Sequence, residues 1–277
     1  MKLHSHSTTS VAGGLLCAVL AGMAPASAQA QASADAWQWQ AAIYGWFPAL
    51  SGTTEFPSGA GGPSFDVSTH QVLESLNFAF MGAFGGKKGQ WGFWTDLFYA
   101  DVGGSKDGTR DFSLGHQGLP ASLSANLNLD IKTTIWTLAG TYELAKSPEY
   151  VADVLAGARG INMRQTLDWS INGDIAGTGL PSQSGSKELT ITNWDAIVGV
   201  KGQAFLDADR KWFVPYYADI GGGQSKLTWQ INAGIGYRFG WGALVASWRV
   251  LDYDMKSGDP IQSIRFNGPL VGAAFQW

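Results

Sequence analysis

Gly268-Pro-Leu-Val-Gly-Ala-Ala-Phe-Gln-Trp277 ends the chain on an aromatic residue. Val271, Ala273, Phe275 and Trp277 alternate with Gly272, Ala274 and Gln276, so an extended strand here has one apolar face that finishes in aromatics. A last strand bordering lipid needs such a face, closed by an interfacial aromatic girdle. Moving back along the chain, the period-2 signal strengthens. From Leu227 the odd positions are Leu227, Trp229, Ile231, Ala233, Ile235, Tyr237 and Phe239, set against Thr228, Gln230, Asn232, Gly234, Gly236 and Arg238. That run is long for a sandwich strand. A tilted strand crossing a bilayer needs about 9–11 residues plus its interfacial ends.

The same reading predicts ten strands, at about residues 37–47, 77–85, 91–102, 125–143, 150–168, 193–206, 211–222, 226–239, 243–253 and 263–277, with eight or twelve as the alternatives. Trp212, Val214, Tyr216, Ala218 and Ile220 form an apolar face opposite Asp219, and Leu244, Ala246, Trp248 and Val250 form another opposite Ser247 and Arg249. In the last strand the apolar set passes from even to odd positions at Gly268-Pro269, which predicts a bulge. The connections mostly alternate in length: residues 48–76, 103–124 and 169–192 are long, 86–90, 144–149 and 207–210 are short, and 223–225 breaks the rule. Long extracellular loops and short periplasmic turns sort this way in transmembrane barrels. The expected fold class is therefore all-β, an antiparallel up-and-down transmembrane β-barrel with both termini on the periplasmic side.

The N-terminus agrees. Lys2, the apolar stretch of residues 11–24, and the small-x-small sites Ala26-Ser-Ala28 and Ala28-Gln-Ala30 predict a signal peptide over residues 1–30, leaving 31–277 as a single barrel domain. Cys17 is the only cysteine, and Leu16 before it does not fit a lipoprotein signal. The mature chain then has no disulfide, no thiolate nucleophile and no thiolate metal site. Of 18 bases and 22 acids only Lys2 falls in the leader, so the mature chain carries a net charge of about −5, which argues against nucleic acid as a partner. The chain has 37 Gly and 13 Trp but only 14% charged residues. Thr69 to Leu76 is the one convincing helical stretch, and nothing beyond the leader approaches the roughly 18 apolar residues of a spanning helix. A mature chain that spans a membrane must then do so as a closed barrel, the other way to satisfy every backbone group in lipid.

Two resemblances follow from these residues. The closing Gly272-x-x-Phe275-x-Trp277 resembles the terminal signal that outer-membrane barrels show to their assembly machinery, with Leu270 where a polar residue is usual. More broadly, the mature sequence resembles a large group of uncharacterised outer-membrane β-barrel proteins of Gram-negative bacteria. The motifs are Tyr44-Gly-Trp-Phe-Pro48 with Gly52, Asn77-Phe-Ala-Phe-Met-Gly82, Trp91 with Asp96, and Asp219-Ile-Gly-Gly222. Ser225, Leu227-Thr-Trp-Gln230, Gly236-Tyr-Arg-Phe239 and Gly268-Pro269 complete them. The resemblance implies an outer-membrane location, a bilayer as partner and assembly through Phe275 and Trp277. It implies no activity.

Placing the apolar faces outward turns the charged strand residues inward. The expected lumen cluster is Asp96, Asp130, Asp153, Asp195 and Asp219 with Lys132, Arg159, Lys201, Arg238 and Arg249, and Arg265 lies beyond the expected bulge. Opposed charges so confined pair, because a buried charge without a partner costs several kcal/mol. The first reading is an occluded, charge-paired barrel whose contacts are made by its long loops. The second is a narrow conduit for small solutes lined by the same residues. An outer-rim enzyme is a third, with His116 near Ser113 and Asp111, whereas His70 at the start of the helical stretch reads as a helix-start or interface residue rather than a base. A soluble lipocalin-type barrel is a fourth, and it requires Thr228, Gln230 and Asn232 to face water. Asp252, Asp254 and Asp259 flank one loop but lack the spacing of a Ca²⁺ loop. No metal and no cofactor is expected.

Overall fold

In the computed structural model, residues 36–54, 64–103, 123–175, 178–179, 183–259 and 261–277 are described. The predicted leader and the Asp111, Ser113 and His116 group lie outside them. In chain order the elements are β1 (Gln38–Trp46), β2 (Ala49–Thr54), β3 (Ser64–Val67), α1 (Thr69–Glu74), β4 (Leu76–Lys88) and β5 (Trp91–Val102). Then come β6 (Leu123–Lys146), β7 (Tyr150–Ile175), β8 (Thr178–Gly179), β9 (Gln183–Phe205), β10 (Trp212–Gly223), β11 (Leu227–Arg238), β12 (Ala243–Asp254) and β13 (Ile261–Gln276). Ten of the strands close into an antiparallel barrel in the order β1, β4, β5, β6, β7, β9, β10, β11, β12, β13, with β13 pairing back to β1. Closure pairs each wall strand with a neighbour on both sides, as a strand-built membrane span requires, and the pairing of β1 with β4 ends only at Ile43 and Gly82.

The outer surface is apolar. Ile43, Phe80, Leu138, Val198, Val200, Ile220, Ile231, Ile235, Leu244 and Val271 all stand exposed on it. Aromatics bracket this belt. At the end where β1 begins and β13 finishes, the termini end, Trp91 meets Tyr142, Trp212 meets Tyr237, and Phe239 stacks on Trp241, which reaches Phe275. At the other end Trp136 lies edge-on to Trp194, and the Trp248 indole donates to Asn267. Thr228 and Gln230 point inward and are almost wholly buried. The outer face is therefore the opposite of what a lipocalin-type barrel in water would present.

The turns at the termini end are the short ones, between β4 and β5, β6 and β7, β9 and β10, and β11 and β12. The β4–β5 turn uses Gly89 at φ 61°, a conformation that favours glycine. The 223–225 turn is short although it lies at the loop end, so the length rule has one exception. The 169–192 segment is not a loop throughout: β7 runs on to Ile175 and β9 begins at Gln183, with β6 alongside. These three strands have 24, 26 and 23 residues, against 12 in β5 and β10. The excess, about 11 to 14 residues per strand at roughly 3.3 Å each, stands as a ribbon beyond the barrel at the loop end.

β1 and β2 are one strand interrupted at Phe47-Pro48. Trp46 opposes Leu270 and Ala49 opposes Asn267, so the register against β13 continues unchanged across the break. Phe47 N–H still donates to Pro269 at 2.9 Å. Beyond Ile43 and Gly82 this strand leaves β4, and β3 pairs with β2 on that side. α1 packs against β2, with a capping box between Ser68 and Gln71 and with Val72 buried. The sequence pattern at Gly268-Pro269 needs correction. β12 and β13 pair there in unbroken register, so no bulge exists. The even residues Ile264, Phe266 and Leu270 face inward, and Val271 faces out. The apolar set changes parity because the barrel interior itself becomes apolar at the loop end.

Candidate functional site

The lumen is layered, and β7 and β9 give the order. From the termini end, β7 places Asp153, Leu155, Arg159, Ile161 and Met163 inward, beside Lys201, Asp195, Asn193 and Ile191 of β9. Charge occupies the termini half, and apolar side chains fill the loop half.

Two arginines organise the middle. Arg249 is bonded to Asp96 at 3.0 Å, to the Tyr44 hydroxyl at 3.1 Å and to Gln230 at 2.8 Å, and Tyr44 donates to Asp96 at 2.7 Å. Its guanidinium lies 4.5 Å from the centre of the Trp46 ring. Arg159, with no exposed surface, pairs with Asp219 and donates to Thr137 at 3.3 Å and Tyr217 at 3.4 Å. Asp195 accepts from the Ser225 amide at 2.8 Å, and its other oxygen has no partner among the described residues. Each arginine makes several hydrogen bonds with its charge fully withdrawn from water, the condition under which such pairs persist.

Above them lies a continuous apolar cluster. Trp46, Phe98, Ile135, Ile161, Leu251, Tyr253, Ile264 and Phe266 are each at most 2% exposed. They belong to one packed group with Leu50, Val72, Met81, Met163, Met255 and Ile261. Trp46 is its hub: its ring meets Phe98 and Phe266, and its indole donates to the Gly268 carbonyl at 3.2 Å. At the termini end the interior is hollow. A cavity of about 430 Å³ is lined by Trp94, Lys201, Phe213, Tyr217, Arg238 and Arg249 among others. It shares Lys201, Gln203, Arg238 and Gln276 with a second of about 490 Å³ that reaches Lys87, Glu143, Asp153 and Trp277. Trp94 and Tyr217, from opposite walls, meet at 5.2 Å between ring centres.

Eight of the ten expected lumen residues face inward: Asp96, Asp153, Arg159, Asp195, Lys201, Asp219, Arg238 and Arg249. Asp130 and Lys132 do not. In β6 the inward set is Ile131, Thr133, Ile135, Thr137 and Ala139, which puts Asp130 and Lys132 on the outer face. Lys132 pairs there with Asp101 across the β5–β6 ladder at 3.4 Å. The inference fails because it took the apolar face as the outward one, whereas near the loop end the interior is apolar and the outer face of β6 carries the charge. Arg265 is also outward, 2.6 Å from Asp252, and Asp254 pairs with Lys226 at 2.9 Å, so these acids are held by bases. His70 lies exposed on α1 beside Glu74. Lys87 and Glu143 were missed. Lys87 bridges Glu143 and Asp153, the latter at 3.3 Å. Both continue the inward alternation of their strands, but the predicted strand ends fell at or short of them.

A closed ten-stranded antiparallel barrel with an apolar belt between aromatic girdles is an integral β-barrel of the outer-membrane type. Solved structures to which the chain is similar include the outer membrane protease OmpT of Escherichia coli, at 10% identity and a TM-score of 0.43, over 87% of this chain and 95% of that one. Another is Ail, the attachment invasion locus protein of Yersinia pestis, at 9% identity and a TM-score of 0.31, over 88% of this chain and 99% of that one. A third is the toluene transporter TbuX of Ralstonia pickettii, at 10% identity and a TM-score of 0.26, over 87% and 90%. No protein-family model and no curated protein matches the chain. The likenesses transfer no residue role.

Proposed function

We propose that this is a small outer-membrane barrel with an occluded lumen, serving a structural or interaction role through its loop-end ribbon and loops. The observation that carries the reading is the apolar cluster around Trp46, whose members come from β1, β5, β6, β7, β12 and β13 and are withdrawn from solvent. A path for ions or polar solutes would have to displace packed aromatic and branched side chains. The buried Arg249–Asp96 and Arg159–Asp219 pairs hold the layer below in one arrangement. The extra length of β6, β7 and β9 supports the interaction role, because crossing lipid needs only about 9–11 residues per strand. Assembly through Phe275 and Trp277 fits their place on the outer face, where Trp277 exchanges backbone hydrogen bonds with Trp39. Liposome swelling tests the occlusion. Vesicles carrying the folded protein are expected to resist arabinose entry as protein-free vesicles do. Swelling that scales with the amount of protein would overturn the reading in favour of a conduit.

A further inference from the structure

We propose that the termini-end cavity is a binding site for a small organic anion, a carboxylate on a planar body, held by Lys201 and Arg238. Three observations converge on it.

The first is charge. Register sets Lys201 opposite Asp153 across the β7–β9 ladder, yet the Lys87 ammonium takes Asp153 at 3.3 Å while also holding Glu143. The Lys201 ammonium instead lies 5.1 Å from the centre of the Trp94 ring. Arg238 is bonded to the Gln203 amide at 3.2 Å and sits between the Phe205 and Phe213 rings, at 5.7 and 5.5 Å. Among the described residues no carboxylate lies within ion-pair distance of either base. Asp96 is committed to Arg249. The cavity therefore carries more positive charge than its acids neutralise.

The second is shape. Both bases line both hollows, and the space of about 430 Å³ falls in the range of roughly 300–1,000 Å³ typical of small-molecule sites. The third is the chemistry of the walls. A guanidinium presents a planar fork that matches a carboxylate, and an ammonium adds a point charge beside it. The partly exposed Trp94 ring offers apolar surface next to those two groups, with the Phe213 and Tyr217 rings packed into the wall beside it. A carboxylate attached to a ring satisfies both halves. A bare oxyanion leaves the rings unused.

The test is a benzoate titration of the folded full-length protein in micelles, followed by tryptophan fluorescence and by calorimetry, with acetate and inorganic phosphate as comparison ligands. Saturable benzoate binding is expected, at least tenfold tighter than acetate or phosphate and weakened by added salt. Lys201→Gln and Arg238→Gln should each weaken it tenfold or more. Arg164→Gln, on the exposed ribbon, should leave it unchanged. Absence of saturable benzoate binding, equal binding of phosphate, or indifference to both cavity substitutions would overturn the proposal. Should the variants fail to fold, the wild-type ligand ranking and salt dependence decide it, and salt-independent binding counts against it. The site and the occluded lumen fail separately: one is read by ligand binding, the other by solute entry.

Discussion

Arg249 and Arg238 both carry charge on the inner wall, and they should answer substitution differently. Arg249→Ala leaves Asp96 buried opposite a cavity, with Tyr44 and Gln230 also robbed of their donor. Breaking a buried pair in this way costs about 3–5 kcal/mol, so the heat-modifiable band on a gel should convert at a clearly lower temperature. Arg238→Ala removes a base bound to one amide and two ring faces, and its conversion temperature should fall far less. Equal effects would contradict the assignment of Arg249 as an organising residue. Asp195→Asn keeps the acceptor for the Ser225 amide while removing a buried negative charge whose second oxygen has no partner among the described residues. Its folded band should be as heat-resistant as wild type or more so, and a marked loss would show that the charge itself is needed.

Among the elements, the seam where β1 and β2 cross β13 carries the closure. Gly268 lies so close to the β1–β2 break that a Cβ there would approach the Phe47 carbonyl oxygen to 2.2 Å. Gly268→Leu should therefore prevent closure, read as loss of the heat-modifiable band and accessibility to protease, whereas normal folding would contradict the close approach. Such features were partly legible in sequence. The strands of the belt announced themselves because lipid demands apolar residues on one face and the interior tolerated polar ones on the other, as in β10 and β11. In the β6–β7–β9 ribbon, the sequence pattern reads β6 from residue 125 and β7 to residue 168, but the end of β7 and the start of β9 read as loop: outside lipid no face must be apolar, and the Gly-, Ser- and Thr-rich 169–192 stretch gives no sustained alternation. In β13 the alternation was present, but Ile264 and Phe266 were apolar and inward, so the pattern suggested a bulge that is not there.

At the scale of the whole molecule, the sequence exposed the charged half of the lumen and hid the apolar half. Asp219 and Arg249 stand out among apolar neighbours, so their inward place could be read from one strand at a time. Trp46, Phe98, Ile135 and Phe266 are separated widely in the chain, and only closure of the barrel brings them together. A single strand gives no sign whether an apolar face meets lipid or an apolar interior. The resulting molecule has a hollow termini half, two arginine-centred clusters in the middle, and a packed apolar half below the ribbon. Single-channel recording in planar bilayers addresses that arrangement most directly. Folded, inserted protein should give no stable conductance steps, and Trp46→Ala combined with Phe266→Ala should raise conductance if it still folds. Stable, unitary steps from the wild-type protein would contradict the occluded lumen.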